Sequence, residues 1–409
     1  MSPSRILLGW EHGDGLGHVM RLLPLARRLL ARGHDVSFAA CDLDAVRDAL
    51  ALEPAPGLRL LPAPPLGLAA AKVTSLADSL RALLGGTPNK AVLGAAWAGL
   101  LEFGRPDLVV ADHAPMLAML CLGRIPVQVI GDPPMVPPDA APLPIFRPGT
   151  PSPPANQAAE AVLLAELNRL RQRAGLSPLP RLAAVLRGDG TPWIAAHPAF
   201  DPYAAMRGEP LDPAPEAAGP MPPPVADRPP IALLYATSPH PAVADIARAV
   251  AAAGLRPRVV MRTAPAPLRQ ALLAAGAELL DQPRPRAALL AEARLVMHGG
   301  GMGTAMGCLG SATPQIILAT EYAGQLILAG LAALGLGLGG PMGQTAPSAA
   351  GLASALAGAQ APAMLQRATE VAAAIRAAGG PDPLGRLVAR IEGLLAGRAV
   401  ANRLRYKVS

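Results

Sequence analysis

The stretch EHGDGLGHVMR, Glu11 to Arg21, decides how the chain is read. An apolar run, ILLGW (6–10), precedes it, and LLPLARRLLARGH (22–34), with leucines at helical spacing, follows. It is therefore the turn from a strand into a helix, and Gly13, Gly15 and Gly17 let that turn be tight and closely approached. The spacing G-x-G-x-G-H departs from the dinucleotide fingerprint G-x-G-x-x-G, and Asp14 would meet a pyrophosphate with the wrong charge, which argues against NAD. His18 opens the helix, where the helix dipole disfavours an imidazolium, and a neutral histidine there can act as a general base. The plainer alternative is a histidine that caps the turn. Asp112 ends another apolar run, DLVVAD (107–112), and a carboxylate on the far ring nitrogen would fix the tautomer of His18. A helix N-cap is the alternative for Asp112, and His113 is the weaker candidate for the role.

The same alternation continues outward. DVSFAA (35–40), DLVVAD and IPVQVI (125–130) are short apolar strands separated by helical sequence such as PMLAMLCLG (115–123). Continuous apolar strands between helices predict a parallel sheet covered on both faces. EPLDPAPEAAGPMPPPVADRPP (209–230) is too rich in proline for helix or ladder and reads as an extended linker. A second series follows it: IALLYA, LRPRVVMR, AELLD, ARLVMHGG and PQIILA. The expected fold is α/β, with two doubly wound Rossmann-like domains (1–208 and 231–390) facing each other across a cleft and a C-terminal tail or helix (391–409). Ligands of such sheets sit at the C-terminal ends of the strands.

At 409 residues the chain is long for one core, and 51% hydrophobic residues supply enough apolar surface for two. The formal charge of +7 is spread along helices, and only Lys72, Lys90 and Lys407 of the 36 basic residues are lysines. A nucleic-acid partner is not expected from that pattern, whereas phosphate-bearing ligands or peripheral contact with an anionic membrane surface stay open. Cys41, Cys121 and Cys308 lack metal-ligand spacing and read as reduced packing residues of a cytoplasmic protein. DLD (42–44) precedes AVRDAL and reads as a helix cap in preference to a metal-binding D-x-D.

LVMHGGGMGTAMGCLGSATPQIILA (295–319) holds a second glycine-rich turn between strand and helix. Backbone N–H groups at such a helix start suit a phosphate or diphosphate, with the His298 and Thr304 side chains as candidate donors. The spacing is not that of a P-loop, and no lysine is present for one.

GLGHVMRLLPLARRLLARGHDVSFA, PDLVVAD, LNRLRQRAGLSPLP, HGGGMGT and LGLGLG, in this order, resemble bacterial GT-B glycosyltransferases of the UDP-glucuronosyltransferase and macrolide-glycosyltransferase group. The resemblance spans nearly the whole chain. It implies His18 as catalytic base and Asp112 as its orienting acid. It implies donor contacts from His298, Gly303, Thr304 and Gln325, with Gly17, Ser238, Gly299 and Gly300 as further candidates and Arg284 and Glu321 as replacements where the chain departs from the family. The chain departs from the family pattern at Gly324, where an acid usually stands beside the glutamine, and Glu321 is the nearby substitute. DQPRPRAALL (281–290) lacks the aromatic that stacks on the base, leaving Arg284 or Arg286. Met306 replaces an acid in the phosphate helix.

The activity implied is inverting, metal-independent transfer of a sugar from a nucleoside diphosphate donor, expected to be a UDP-sugar, to a small lipophilic acceptor, with no other cofactor. LPAPPLGLAAAKVTSLADSLRALLGG (61–86) and DPPMVPPDAAPLPIF (132–146) are apolar enough to line the acceptor pocket, or simply to cover a core. GLGHVMR also resembles nucleotide-sugar hydrolases that release UDP, and a non-catalytic nucleotide-sugar-binding protein is the third alternative.

Overall fold

The apolar runs at 5–10, 35–40, 107–112 and 125–130 form the centre of one sheet, and those of the second series form the centre of another. The computed structural model describes residues 3–12, 16–64, 76–84, 87–145, 154–218, 220–236, 239–240, 242–261, 263–280, 282, 284–342, 347–380 and 382–405. The first unit comprises β1 (Arg5–Trp10), α1 (Gly17–Ala31), β2 (Asp35–Ala40), α2 (Leu43–Leu52), β3 (Arg59–Pro62), α3 (Leu76–Leu84), α4 (Thr87–Gly104), β4 (Leu108–Asp112), α5 (Pro115–Cys121), β5 (Val127–Gly131), α6 (Pro154–Arg173), α7 (Ala183–Arg187) and β6 (Trp193–Ile194). The second comprises β7 (Ile231–Tyr235), α8 (Ala242–Ala252), β8 (Arg256–Val260), α9 (Ala266–Ala274), β9 (Glu278–Leu280), α10 (Arg286–Glu292), β10 (Leu295–His298), α11 (Met302–Gly310), β11 (Gln315–Ala319), α12 (Tyr322–Ala333), β12 (Gly339–Pro341), α13 (Ala349–Gln360) and α14 (Pro362–Gly379). A last helix, α15 (Pro383–Arg405), leaves the second unit at its first residue and belongs to the first.

The strand orders are β3-β2-β1-β4-β5-β6 and β9-β8-β7-β10-β11-β12, parallel throughout, which is the doubly wound order in both units. The order reverses between β1 and β4 in one sheet and between β7 and β10 in the other. Trp10 pairs with Asp112 at the first switch point, and Tyr235 with His298 at the second. Val36, Phe38, Val110 and Leu8 bury one face of the first sheet against α1, as continuous apolar strands require. The edge strands β3, β6 and β12 are only two to four residues long, and β3 and β12 carry proline or glycine, so the sequence pattern did not mark them.

The units divide differently from the expected boundaries. Unit 1 is 1–195, 202–212 and 384–409; unit 2 is 196–201 and 213–383. The proline-rich stretch is not a free spacer, because most of it packs along the second unit. Ala217 is buried against α11, where a Cβ on Gly310 would collide with its backbone. Arg228 is buried and donates to the carbonyls of Pro223, Leu290, Ala293 and Ser311 and to the Thr313 hydroxyl. The tail or helix expected at 391–409 is the later part of α15, whose Leu387, Val388, Ile391 and Leu395 complete the core beneath α1. Arg390 reaches Asp212 at 2.9 Å and lies over the Trp193 ring, and Glu392 accepts from Arg32 at 2.8 Å. Cys121 and Cys308 are buried, and burial pushes both thiols up to about 12, but Cys41 is exposed and not a packing residue. No helix among the described residues is long and apolar enough to cross a membrane.

Candidate functional site

His18 is the second residue of α1, so its side chain stands beside the carboxyl end of β4, where Asp112 is fully buried. Nδ1 of His18 lies 3.1 Å from Oδ1 of Asp112, within ion-pair range but without the alignment of a hydrogen bond. Such pairs are commonly loose before substrate binds. The structure thus brings together the two residues that the sequence singles out. It adds one that the sequence assigned no role here: Nη1 of Arg21, one turn further along α1, donates to both Asp112 oxygens at 3.0 and 3.1 Å, and Nη2 donates to Asp132. Burial alone would raise the Asp112 pKa, but the charges of Arg21, His18 and His113 outweigh it and hold it down to about 2. Asp112 therefore stays a carboxylate throughout the neutral range.

Around this pair the rings of Trp10, His18, His113 and His12 are stacked, with successive centroids 5.3, 5.1 and 5.8 Å apart. Glu11, directly after β1, is buried and accepts the N–H groups of Met116 and Leu117 at 3.0 and 2.6 Å, supplying the cap that Ala114 cannot. Burial pushes its carboxyl up to about 8 against those two hydrogen bonds. Beside His113 lies a small cavity of about 30 Å³. Leu76, Ser79 and Leu80 from the 61–86 segment and Met135 and Val136 from the 132–146 segment line it. Gly17 sits in the same unit, at the start of α1, with open space where a Cβ would be. Gly13, Asp14 and Gly15 lie outside the described residues, as does Ser238.

In the second unit, the chain after β10 turns through Gly299, Gly300 and Gly301 into α11, which no side chain caps. The N–H groups of Met302, Gly303 and Thr304 therefore begin a helix with no intrahelical acceptor. His298 was expected to donate to a phosphate, and here both of its ring nitrogens have partners within the unit. The Gly300 N–H donates to Nδ1 at 3.1 Å, so the ring proton sits on Nε2, which donates to Oε1 of Gln315 at 2.8 Å. Gln315 in turn donates to the Ala305 carbonyl of α11 at 3.3 Å. Burial pushes His298 down to about 4, so it is a neutral brace that shapes the loop from beneath.

Arg284 pairs with Glu292 at 2.5 Å, both partly exposed. Arg286, the first residue of α10, is the one that reaches α11, with Nη1 2.9 Å from where a Cβ on Gly303 would stand. The departures from the family pattern have local causes. Gly324 lies in the first turn of α12, and a Cβ there would collide with the Gly299 carbonyl oxygen, while one on Gly300, at φ +98°, would collide with Gly324. The two helix starts are thereby pressed together, which places Glu321, just before α12, and Gln325, in its first turn, both exposed, beside the glycine loop. No side chain fits at 324 as the backbone stands. Met306 is buried and its Sδ accepts the His197 N–H at 3.3 Å, a place unsuited to a carboxylate. Gly324→Ala is expected to destabilise the protein by about 1–3 kcal/mol, the usual cost of overpacking, read as a lowered urea midpoint. An unchanged midpoint would show that the two loops are not held together in this way.

A cavity of about 70 Å³ adjoins this loop, lined by Tyr235, His240, His298, Gly299, Thr320 and Met342 among others. Asp42 caps α2 by accepting the Ala45 N–H at 2.9 Å, and Asp44 pairs with Arg47 at 2.8 Å, as the capping reading of DLD expects. No cluster of three or more His, Cys, Asp or Glu side chains suited to a metal occurs among the described residues.

No family model matches the sequence, and no curated protein matches it by sequence. Solved structures do. The glycosyltransferase VinC in complex with dTDP is similar at TM-score 0.65 and 16% identity, over 96% of this chain and 99% of that one. The glycosyltransferase SnogD from Streptomyces nogalater is similar at TM-score 0.61 and 18% identity, over 96% and 100%. The spinosyn rhamnosyltransferase SpnG complexed with spinosyn aglycone is similar at TM-score 0.56 and 20% identity, over 94% and 99%. The chain has the GT-B fold of these structures.

Proposed function

We propose, from a GT-B fold with a His18–Asp112 pair at its first switch point, that the protein transfers a sugar from a nucleoside diphosphate donor to a small lipophilic acceptor. The carrying observation is that pair, set beside a largely apolar cavity in the same unit. In this reading the acceptor hydroxyl gives its proton to Nε2 of His18, the nitrogen turned away from Asp112, while its oxygen attacks the anomeric carbon. The bond from that carbon to the phosphate oxygen breaks as the new one forms, so configuration inverts. The electron pair leaves on the nucleoside diphosphate, whose added charge falls on the α11 N–H groups and Arg286. Asp112 balances the imidazolium, and Arg21 keeps Asp112 ionised and in place. Gly299, Gly300, Gly303, Thr304, Glu321 and Gln325 remain the proposed donor contacts, with His298 acting beneath them. Solved structures of the same fold hold dTDP and an aglycone, which supports testing dTDP-sugars beside UDP-sugars.

The test is incubation with a panel of UDP- and dTDP-sugars, with and without a pool of lipophilic alcohols, in the presence and absence of EDTA. Glycosylated product that persists in EDTA is the expected result, since Asp42 and Asp44 are spent on a cap and an ion pair. Loss of activity in EDTA, restored by Mg²⁺, would overturn the metal-free step. Free sugar released without any alcohol would favour the hydrolase, and donor binding with no turnover the binding protein.

A further inference from the structure

From Ala91 to Gly104, α4 is apolar on nearly every side, a pattern that ordinarily marks a helix buried on every side. Leu93, Trp97 and Leu101 bury its inner face in the core of the first unit. Its outer face is nonetheless exposed: between 91 and 104 the exposed residues are alanines, Gly99, Val92 and Phe103, and Glu102 alone is polar. Val92 is 69% exposed and Phe103 81%. A solvated helix of the same unit looks different, since α2 turns Asp44, Arg47 and Asp48 to water. A single apolar side chain on a surface needs no explanation, but a continuous uncharged face does. Lys90 ties α4 to α6 through Glu166 at 2.9 Å. One turn before Glu166, Val162 is 55% exposed, and with the exposed Ala158, Ala161 and Ala165 it carries the apolar surface onto α6.

Val92, Ala96, Gly99 and Phe103 recur at steps of four, three and four, so they form one stripe along α4, and Glu102 lies off it. The stripe is self-complementary. A second copy laid antiparallel, with the two-fold axis between Ala96 and Gly99, sets Phe103 of each chain against Val92 of the other and Ala96 against Gly99. Nothing lies within 4 Å of where a Cβ on Gly99 would stand, so the two backbones can approach closely at the crossing.

We propose that this face joins two copies of the chain in an isologous dimer, with their α4 helices crossing antiparallel. The chain carries a formal charge of +7, yet the stripe carries none, so two copies meet there without like-charge contact. An anionic lipid surface, by contrast, finds no exposed basic side chain between Ala91 and Gly104. The length of α4 is about 27 Å, and with the neighbouring face of α6 two copies cover roughly 1,000 Å², the lower limit for a specific interface and the range of reversible association.

Sedimentation velocity over a dilution series reads the dimer, with wild type expected to be dimeric at about 100 µM and to dissociate toward monomer below about 1 µM. Val92→Lys, Phe103→Glu and Gly99→Leu change only exposed positions, and each should weaken association about tenfold or more without altering the melting curve of the monomer. The register is tested by mixing. An equimolar mixture of Val92→Lys and Phe103→Glu should form heterodimers, and the double variant carrying both changes should recover the association that each single variant lacks. No other face of the protein predicts that rescue. A wild type that stays monomeric at about 100 µM, a dimer that survives the three single variants, or charged variants that do not rescue each other overturns the proposal. Wild-type monomer that sediments with phosphatidylserine–phosphatidylcholine vesicles, and loses them in Phe103→Glu, assigns the face to lipid and overturns it as well.

Discussion

His18→Ala is expected to lower kcat by roughly a hundredfold to ten-thousandfold, the range for loss of a general base, with nucleoside diphosphate affinity unchanged. The two effects separate because the base lies on α1 of the first unit and the proposed diphosphate contacts on α11 of the second. Turnover is read by product formation at saturating donor, and affinity by calorimetry with UDP and dTDP. Asp112→Asn should cost less, since His18 keeps its place. It should still cost something, because the Arg21 guanidinium would lose the carboxylate that it grips through both oxygens and would face the imidazolium less compensated. A His18→Ala protein that turns over at the parent's rate ends the proposed role of His18.

Gly303→Val is expected to weaken nucleoside diphosphate binding by roughly a hundredfold, about 2.8 kcal/mol, with the melting temperature nearly unchanged. A side chain at 303 meets the mobile end of Arg286 before it meets backbone, so the fold can yield. What yields is the guanidinium proposed to face the leaving group, while the valine covers the first-turn amides. His298→Ala should behave differently. It strips partners from the Gly300 N–H and from Gln315, both buried, so lost binding should arrive together with a stability loss of about 1–3 kcal/mol. Calorimetry and thermal melts of both variants distinguish a ligand contact from a brace. A folded Gly303→Val protein that binds either diphosphate as tightly as the parent would place the donor elsewhere.

The central strands were legible because burial on both faces writes them as unbroken apolar runs, and His18 and Asp112 because each stands where such a run ends. The grip of Arg21 on Asp112 was not legible, since it joins residues 91 apart in sequence, although Arg21 falls one helical turn after His18 on the same face. The inward role of His298 depends on Gln315, and nothing in HGGGMGT announces that partner. The two arginines part at a boundary that the sequence does not mark: α10 begins at 286, so only Arg286 is carried on the helix toward α11, while Arg284 remains in the loop beside Glu292. The role of α15 was hidden by its distance from the core that it completes.

That last helix sets an order of events during synthesis. The first unit is translated first, yet Leu387, Val388, Ile391 and Leu395 of its core are made only after the entire second unit. At about 5–20 residues per second, the ribosome needs roughly ten to forty seconds to pass from residue 195 to residue 384. Through that interval the groove beneath α1 stays open to solvent, with Trp193 still lacking Arg390 and Arg32 and His34 still lacking Glu392. The nascent chain thus carries an unfinished apolar surface for most of its elongation, and the unit holding the proposed base becomes complete only after the unit holding the proposed donor site has been made.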